Sequence, residues 1–135
     1  MIKHATVLTA LAALSLPAHA VIEGTVDSNS ATSAFEGVGA VRAGSGLASG
    51  ILISDQYVLT AAHVVEGFRN NPDGVRFQLN NGSGQTLTAA EIFIHDSYTG
   101  TSTTLWHDDL ALIRLATPVA GDIPYYDFFS GDFFS

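Results

Sequence analysis

The sequence predicts an all-β domain. Three observations carry that reading: six short runs rich in β-branched and aromatic residues, Gly, Asn, Asp and Pro punctuation between them, and a single place suited to a helical turn. Short strands at close spacing build a barrel or a sandwich rather than alternating helix and strand layers.

A polar Ser/Asn/Thr/Ala segment at 27–34 reads as a loop leading into the first strand, at 38–43. Strands at 47–54 and 57–60 follow. Residues 61–66 then suit a helical turn, with Thr60 placed to cap it. Asn70-Asn71-Pro72-Asp73-Gly74 marks a turn before the fourth strand, at 75–79. Asn80-Asn81-Gly82-Ser83-Gly84 tolerates positive φ and marks a hairpin into the fifth strand, at 86–94. The sixth strand is 110–115, and the pattern ends at Thr117-Pro118. Beyond it Asp127-Phe128-Phe129-Ser130-Gly131 is followed by the near-duplicate Asp132-Phe133-Phe134-Ser135. An apolar cluster of this kind implies a missing partner surface, or a chain broken off before entering another domain.

The first twenty residues have the form of a secretory signal: Lys3 supplies positive charge, 5–16 are apolar, and Pro17-Ala18-His19-Ala20 ends in a small-x-small cleavage pattern. An apolar run of this length falls short of the roughly 20 residues a membrane helix needs. Export to a secreted or periplasmic location is therefore expected, with no membrane association once the signal is removed. Residues 21–135 are the size of one ordinary domain.

The chain has 13 acidic against 5 basic residues and a formal net charge of −8, and all the acidic residues follow the signal. That balance argues against nucleic acid as a partner. The sequence contains no cysteine, so disulfide staples, thiol catalysis and zinc–cysteine sites are all excluded.

Two segments carry chemistry: Leu59-Thr60-Ala61-Ala62-His63, and, much later, Asp109-Leu110-Ala111-Leu112-Ile113-Arg114-Leu115. A serine hydroxyl is a weak nucleophile near neutral pH and needs an adjacent imidazole to take its proton. The imidazole in turn needs a held carboxylate to fix its tautomer and stabilise its protonated form. His63 suits the first role and Asp109 the second. Asp108 is the rival carboxylate, but the motif begins at the residue directly before Leu110.

Other polar clusters read more plainly. His95-Asp96 and His107-Asp108 carry metal-ligand chemistry but read as polar loop pairs, and Asn70, Asn71 and Asp73 lack the repeated acidic ligands of a calcium loop. No metal and no cofactor is expected.

On these residues the chain resembles the trypsin-like (chymotrypsin-fold) serine proteases. In that family an apolar strand leads into Thr/Ser-Ala-Ala-His, and the aspartate opens a later strand of the Asp-Leu/Ile-Ala-Leu-Ile-Arg/Lys-Leu type. The resemblance implies a six-stranded antiparallel Greek-key barrel over 21–117, the N-terminal half of a two-barrel fold, with 118–135 a truncated interdomain linker. It implies His63 and Asp109 as catalytic residues and a protein or peptide substrate in the complete protein. Ala48 and Val64 stand where many members carry a disulfide. Gly44-Ser45-Gly46 and Val64-Val65 are also similar to the HtrA-like branch, so the branch stays open. Val21-Ile22-Glu23-Gly24 resembles the family's mature N-terminus and equally suits a simple apolar lead-in to a strand.

The family's nucleophile sits in Gly-Asp-Ser-Gly-Gly, and no such string occurs among these residues. Gly131-Asp132-Phe133 has phenylalanine in the serine place, and Ser130 and Ser135 lack the glycines that let N–H groups converge on an oxyanion. The resemblance therefore implies a serine endopeptidase present as an incomplete, inactive chain with an exposed interdomain face. The alternative is a non-catalytic single-barrel binding protein.

Overall fold

The computed structural model describes residues 33–79, 84–100, 107–128 and 130–131. The signal segment, Val21 to Gly24, the first part of the 27–34 loop, the hairpin tip at 80–83 and the last four residues lie outside the described residues.

Among the described residues six strands form: β1 (Val38–Ala43), β2 (Gly46–Leu52), β3 (Tyr57–Thr60), β4 (Val75–Leu79), β5 (Thr86–Ile94) and β6 (Ala111–Leu115), with one short α-helix, α1 (Ala62–Val65), between β3 and β4. They close in the order β1-β2-β3-β6-β5-β4, every pair antiparallel, with β4 bonded back to β1. Three hairpin-linked strands followed by a fourth that returns beside the first is a Greek key. Closure leaves no strand edge unpaired within the sheet.

Alternation sets the core. In β4 the side chains of Val75, Phe77 and Leu79 point in while Arg76 and Gln78 face out; in β6 Ala111, Ile113 and Leu115 point in. With Val41, Leu52, Val58 and Val65 they form one cluster inaccessible to solvent. Gly39 is needed because a Cβ there would lie 2.6 Å from the Phe77 ring and 2.5 Å from the Gln78 carbonyl oxygen. In β5 the inward parity changes from Leu87 and Ala89 to Ile92, across a bulge between Ala89 and Glu91. The extra residue re-aims the strand, so Glu91 and Phe93 face outward. Glu91 takes both Nη2 and Nε of its cross-strand neighbour Arg114, at 2.7 and 3.2 Å.

Three local expectations are corrected. The second strand runs 46–52, not 47–54, because Ser54 Oγ accepts the N–H groups of Gln56 and Tyr57 and so closes a turn. The sixth begins at Ala111, since the Leu110 N–H is spent on the Asp108 carbonyl at 2.7 Å. Thr60 does not cap the helix: Ala61 occupies that position without a side-chain bond, and the buried Thr60 hydroxyl donates instead to the Ser49 carbonyl at 2.9 Å. Asn71 and Gly74 sit, as turn formers should, at the ends of a 3₁₀ turn over Pro72–Gly74.

Past β6 the chain lies back against the barrel. The Val119 N–H donates to Asp55, the Gln85 amide both donates to and accepts from Ala120, and the Tyr126 N–H donates to Leu52 while its hydroxyl donates to Ala34. Val119 is buried. Gly37 lies under Pro124, with no room for a Cβ.

Phe77 is the largest fully buried side chain. Phe77→Ala is predicted to cost about 3–5 kcal/mol of unfolding free energy, read from the shift in the urea midpoint at unchanged slope.

Candidate active site

The two motifs meet because of strand pairing. β3 and β6 are antiparallel neighbours with Thr60 opposite Ala111 and Leu59 opposite Leu112, so the chain leaves β3 at the point where it enters β6. His63 follows that exit and Asp109 precedes that entry.

Each side chain is then held by its own local structure. Ala61 is still extended, and α1 begins at Ala62. Ala62 and Val65 are buried in the core, which turns His63, between them, outward. On the other side Asp108 adopts φ of 53°, a left-handed conformation that aspartate tolerates better than most residues. With the Leu110 N–H bonded to the Asp108 carbonyl, the loop folds tightly enough to aim the Asp109 carboxylate back at α1.

The carboxylate grips His63 twice across a sequence separation of 46. Oδ1 accepts the His63 backbone N–H at 2.9 Å, and Oδ2 lies 2.6 Å from Nδ1. The histidine side chain is 35% exposed and the aspartate 19%. With its proton on Nδ1 the imidazole carries its lone pair on Nε2, the state a general base requires.

Burial raises the Asp109 carboxyl, but the backbone and side-chain hydrogen bonds from His63, its charge, and the Ala62 N–H together more than offset this, so its pKa lies below the ordinary value. Tyr98 stands nearby, its phenol pushed up by burial and then by the carboxylates of Glu66 and Asp109. Neither the second grip through the His63 backbone nor the presence of Tyr98 had a signal in the sequence.

Asp108, the rival carboxylate, is exposed and serves the turn. His95 is a loop residue whose N–H donates to Leu110 and whose Nδ1 accepts the Ser97 N–H. His107 is exposed. Among the described residues no group of three or more His, Asp or Glu side chains is arranged to hold a metal ion.

The trypsin family model aligns with residues 22–125, the stretch that holds the barrel and this pair. The chain belongs to the trypsin family. Curated relatives of this trypsin-family chain include Complement C1s subcomponent of Sus scrofa, 42% identical over 81 residues, and Trypsin Blo t 3 of Blomia tropicalis, 34% identical over 73. Each alignment takes in 53% of this chain, but only 12% of the first protein and 26% of the second. The chain therefore spans a small part of the relatives it matches.

Solved structures agree on the fold. Kallikrein-related peptidase 10 in complex with Zn2+ superposes with a TM-score of 0.61 at 19% identity, over 79% of this chain and 47% of that one. The scabies mite inactivated protease paralogue S-D1 superposes with a TM-score of 0.55 at 18% identity, over 64% and 37%.

A carboxylate with a depressed pKa stabilises the fold fully above its ordinary value of 3.8, and that contribution is lost as pH falls through the depressed value. Asp109→Asn is predicted to remove this part of the acid limb, so that unfolding free energies of variant and parent converge below pH 3.8; parallel pH profiles would contradict it. At the neighbouring position, Asp108→Val is predicted to cost about 1–2 kcal/mol for its left-handed backbone, while Asp108→Gly is tolerated.

Proposed function

We propose that this barrel is the base-bearing half of an exported, trypsin-like serine endopeptidase. In the complete protein, Nε2 of His63 takes the proton from a serine hydroxyl as that oxygen attacks the scissile carbonyl. It returns the proton to the leaving amine, and water repeats the cycle on the acyl-enzyme. Asp109 holds the imidazole in the tautomer that leaves Nε2 basic and stabilises the imidazolium between the two transfers. The serine, the oxyanion donors and the specificity pocket belong to a second barrel. The substrate is protein or peptide, and the signal-like leader supports a secreted or periplasmic setting.

The observation that carries this reading is the double grip of Asp109 on His63, Nδ1 to Oδ2 at 2.6 Å and backbone N–H to Oδ1 at 2.9 Å. A merely structural histidine has no need of a carboxylate that fixes both its backbone and its ring. Residues 1–135 contain no Gly-Asp-Ser-Gly-Gly, so this stretch by itself lacks the nucleophile and is inactive in hydrolysis.

A second reading, a non-catalytic barrel that binds a partner, draws on outward-facing apolar residues such as Phe93 and Leu110, 46% and 49% exposed. The reading frame beyond codon 135 separates the two: a serine in Gly-Asp-Ser-Gly-Gly favours the protease, and long unrelated sequence favours the binding barrel.

Labelling by a fluorophosphonate tests the proposal. The 135-residue chain is predicted not to react. A chain extended through the downstream frame is predicted to react, and His63→Ala to slow that reaction by about 10⁶-fold. Stoichiometric labelling of the 135-residue chain, or labelling of the extended chain unaffected by His63→Ala, would overturn the assignment.

A further inference from the structure

Charge is distributed unevenly around the barrel. Arg114 on β6 stands opposite Glu91 on β5, which neutralises it. Arg42 on β1 instead stands directly opposite Arg76 on β4, and both side chains are exposed. Like charges facing each other across a ladder destabilise a sheet, so this pair departs from the arrangement the same barrel uses at Arg114.

The surroundings leave that charge unanswered. Around the pair the outward positions are Leu47 and Ser49 on β2, Ala40 on β1, Gln78 on β4 and Thr88 on β5, none of them acidic in a chain with 13 acidic against 5 basic residues. Among the described residues no carboxylate comes within ion-pair distance of Arg42 or Arg76. Gln78 Oε1 accepts the Arg42 Nε–H, which holds that guanidinium over the sheet and leaves its Nη donors unspent among the described residues. A guanidinium is a planar fork of donors that matches a carboxylate. Leu47, the cross-strand partner of Arg42 on the other side, is 64% exposed.

We propose that the Arg42–Arg76 pair, with Leu47 beside it, is a binding surface for an extended acidic peptide. The row Leu47–Arg42–Arg76 spans about 10 Å at a strand spacing of about 4.8 Å. A peptide laid across the strands presents alternate side chains about 7 Å apart, and the long arginine stems absorb the difference. One apolar side chain then meets Leu47 and the next two, both carboxylates, meet Arg42 and Arg76. A highly charged polyanion fits less well, because two arginines answer few of its charges and the net charge of −8 repels the rest. The surface lies on β2, β1 and β4, away from the β3–β6 end that carries His63 and Asp109, so it stands apart from the catalytic reading.

The test titrates the blocked pentapeptide Leu-Ser-Glu-Ser-Glu into the 135-residue chain and reads the arginine Nε–Hε resonances, with Leu-Ser-Gln-Ser-Gln as control. The Arg42 and Arg76 signals are expected to move with the acidic peptide and not with the control, and that of Arg114 to stay. Arg42→Gln and Arg76→Gln are each expected to weaken binding about three-fold, and a roughly ten-fold rise in salt to weaken it in the parent. Arg76→Gln is also expected to leave the urea midpoint unchanged or to raise it, because it relieves the repulsion. A lowered midpoint would make the pair a structural feature and overturn the proposal. So would equal affinity for the two peptides or no shift at either arginine. Shifts that follow the protein's own concentration would make a second copy the occupant, and tighter binding of a sulfated hexasaccharide at the pair would make it a polyanion; either result overturns the proposal.

Discussion

The β3–β6 ladder is the constraint on which the rest depends. Thr60 opposite Ala111 is the last rung before the chain turns into α1 on one side and out of the Asp108 loop on the other. A slip of one residue in that register would carry the inward set Ala111, Ile113 and Leu115 to the surface and Leu112 and Arg114 to the core, because side chains alternate along a strand. The same packing that excludes the slip aligns His63 with Asp109. Core and site are therefore specified by one set of contacts, and the inter-motif distance in sequence is irrelevant to their proximity in space.

The site also shows how a barrel end becomes chemically useful. Strand interiors have no spare backbone N–H groups, but the first turn of a helix does. The His63 N–H is spent on Asp109 at 2.9 Å and the Ala62 N–H lies close enough to add to its effect, which lowers the carboxyl's pKa in spite of its partial burial. The two bonds to His63 fix the orientation of the carboxylate relative to the ring, the arrangement on which the proposed function rests. The cost is modest local strain at Asp108, whose left-handed backbone is stabilised by the tight bond to Leu110.

Much of this was legible in the residues. Alternation in Val75-Arg76-Phe77-Gln78-Leu79 and in Ala111-Leu112-Ile113-Arg114-Leu115 encodes strands with one buried face, and both form where the pattern places them. What escaped is non-local. Thr60 has the chemistry of a helix cap, but its place in β3 turns the hydroxyl to the Ser49 carbonyl instead. The bulge between Ala89 and Glu91 has no local mark, yet it decides that Phe93 faces out beside Leu112. Leu112 alternates with the inward Ala111 and Ile113 and so reads as outward, but that it stands in one row with Leu59 and Phe93 shows only in the strand pairing. In the site itself the pairing of His63 with Asp109 is legible in the two motifs, whereas the second bond, through the His63 backbone, arises only from where α1 begins beside the Asp108 turn.

The central claim is that the His63 ring proton on Nδ1 is shared with Asp109, and proton NMR reads it most directly. The account predicts one imidazole N–H resonance well downfield of ordinary histidine N–H signals, assigned to His63, present in the parent and in Asp108→Asn and absent in Asp109→Asn. A His63 Nδ1–H at the ordinary position, or a downfield signal indifferent to Asp109→Asn, would contradict it.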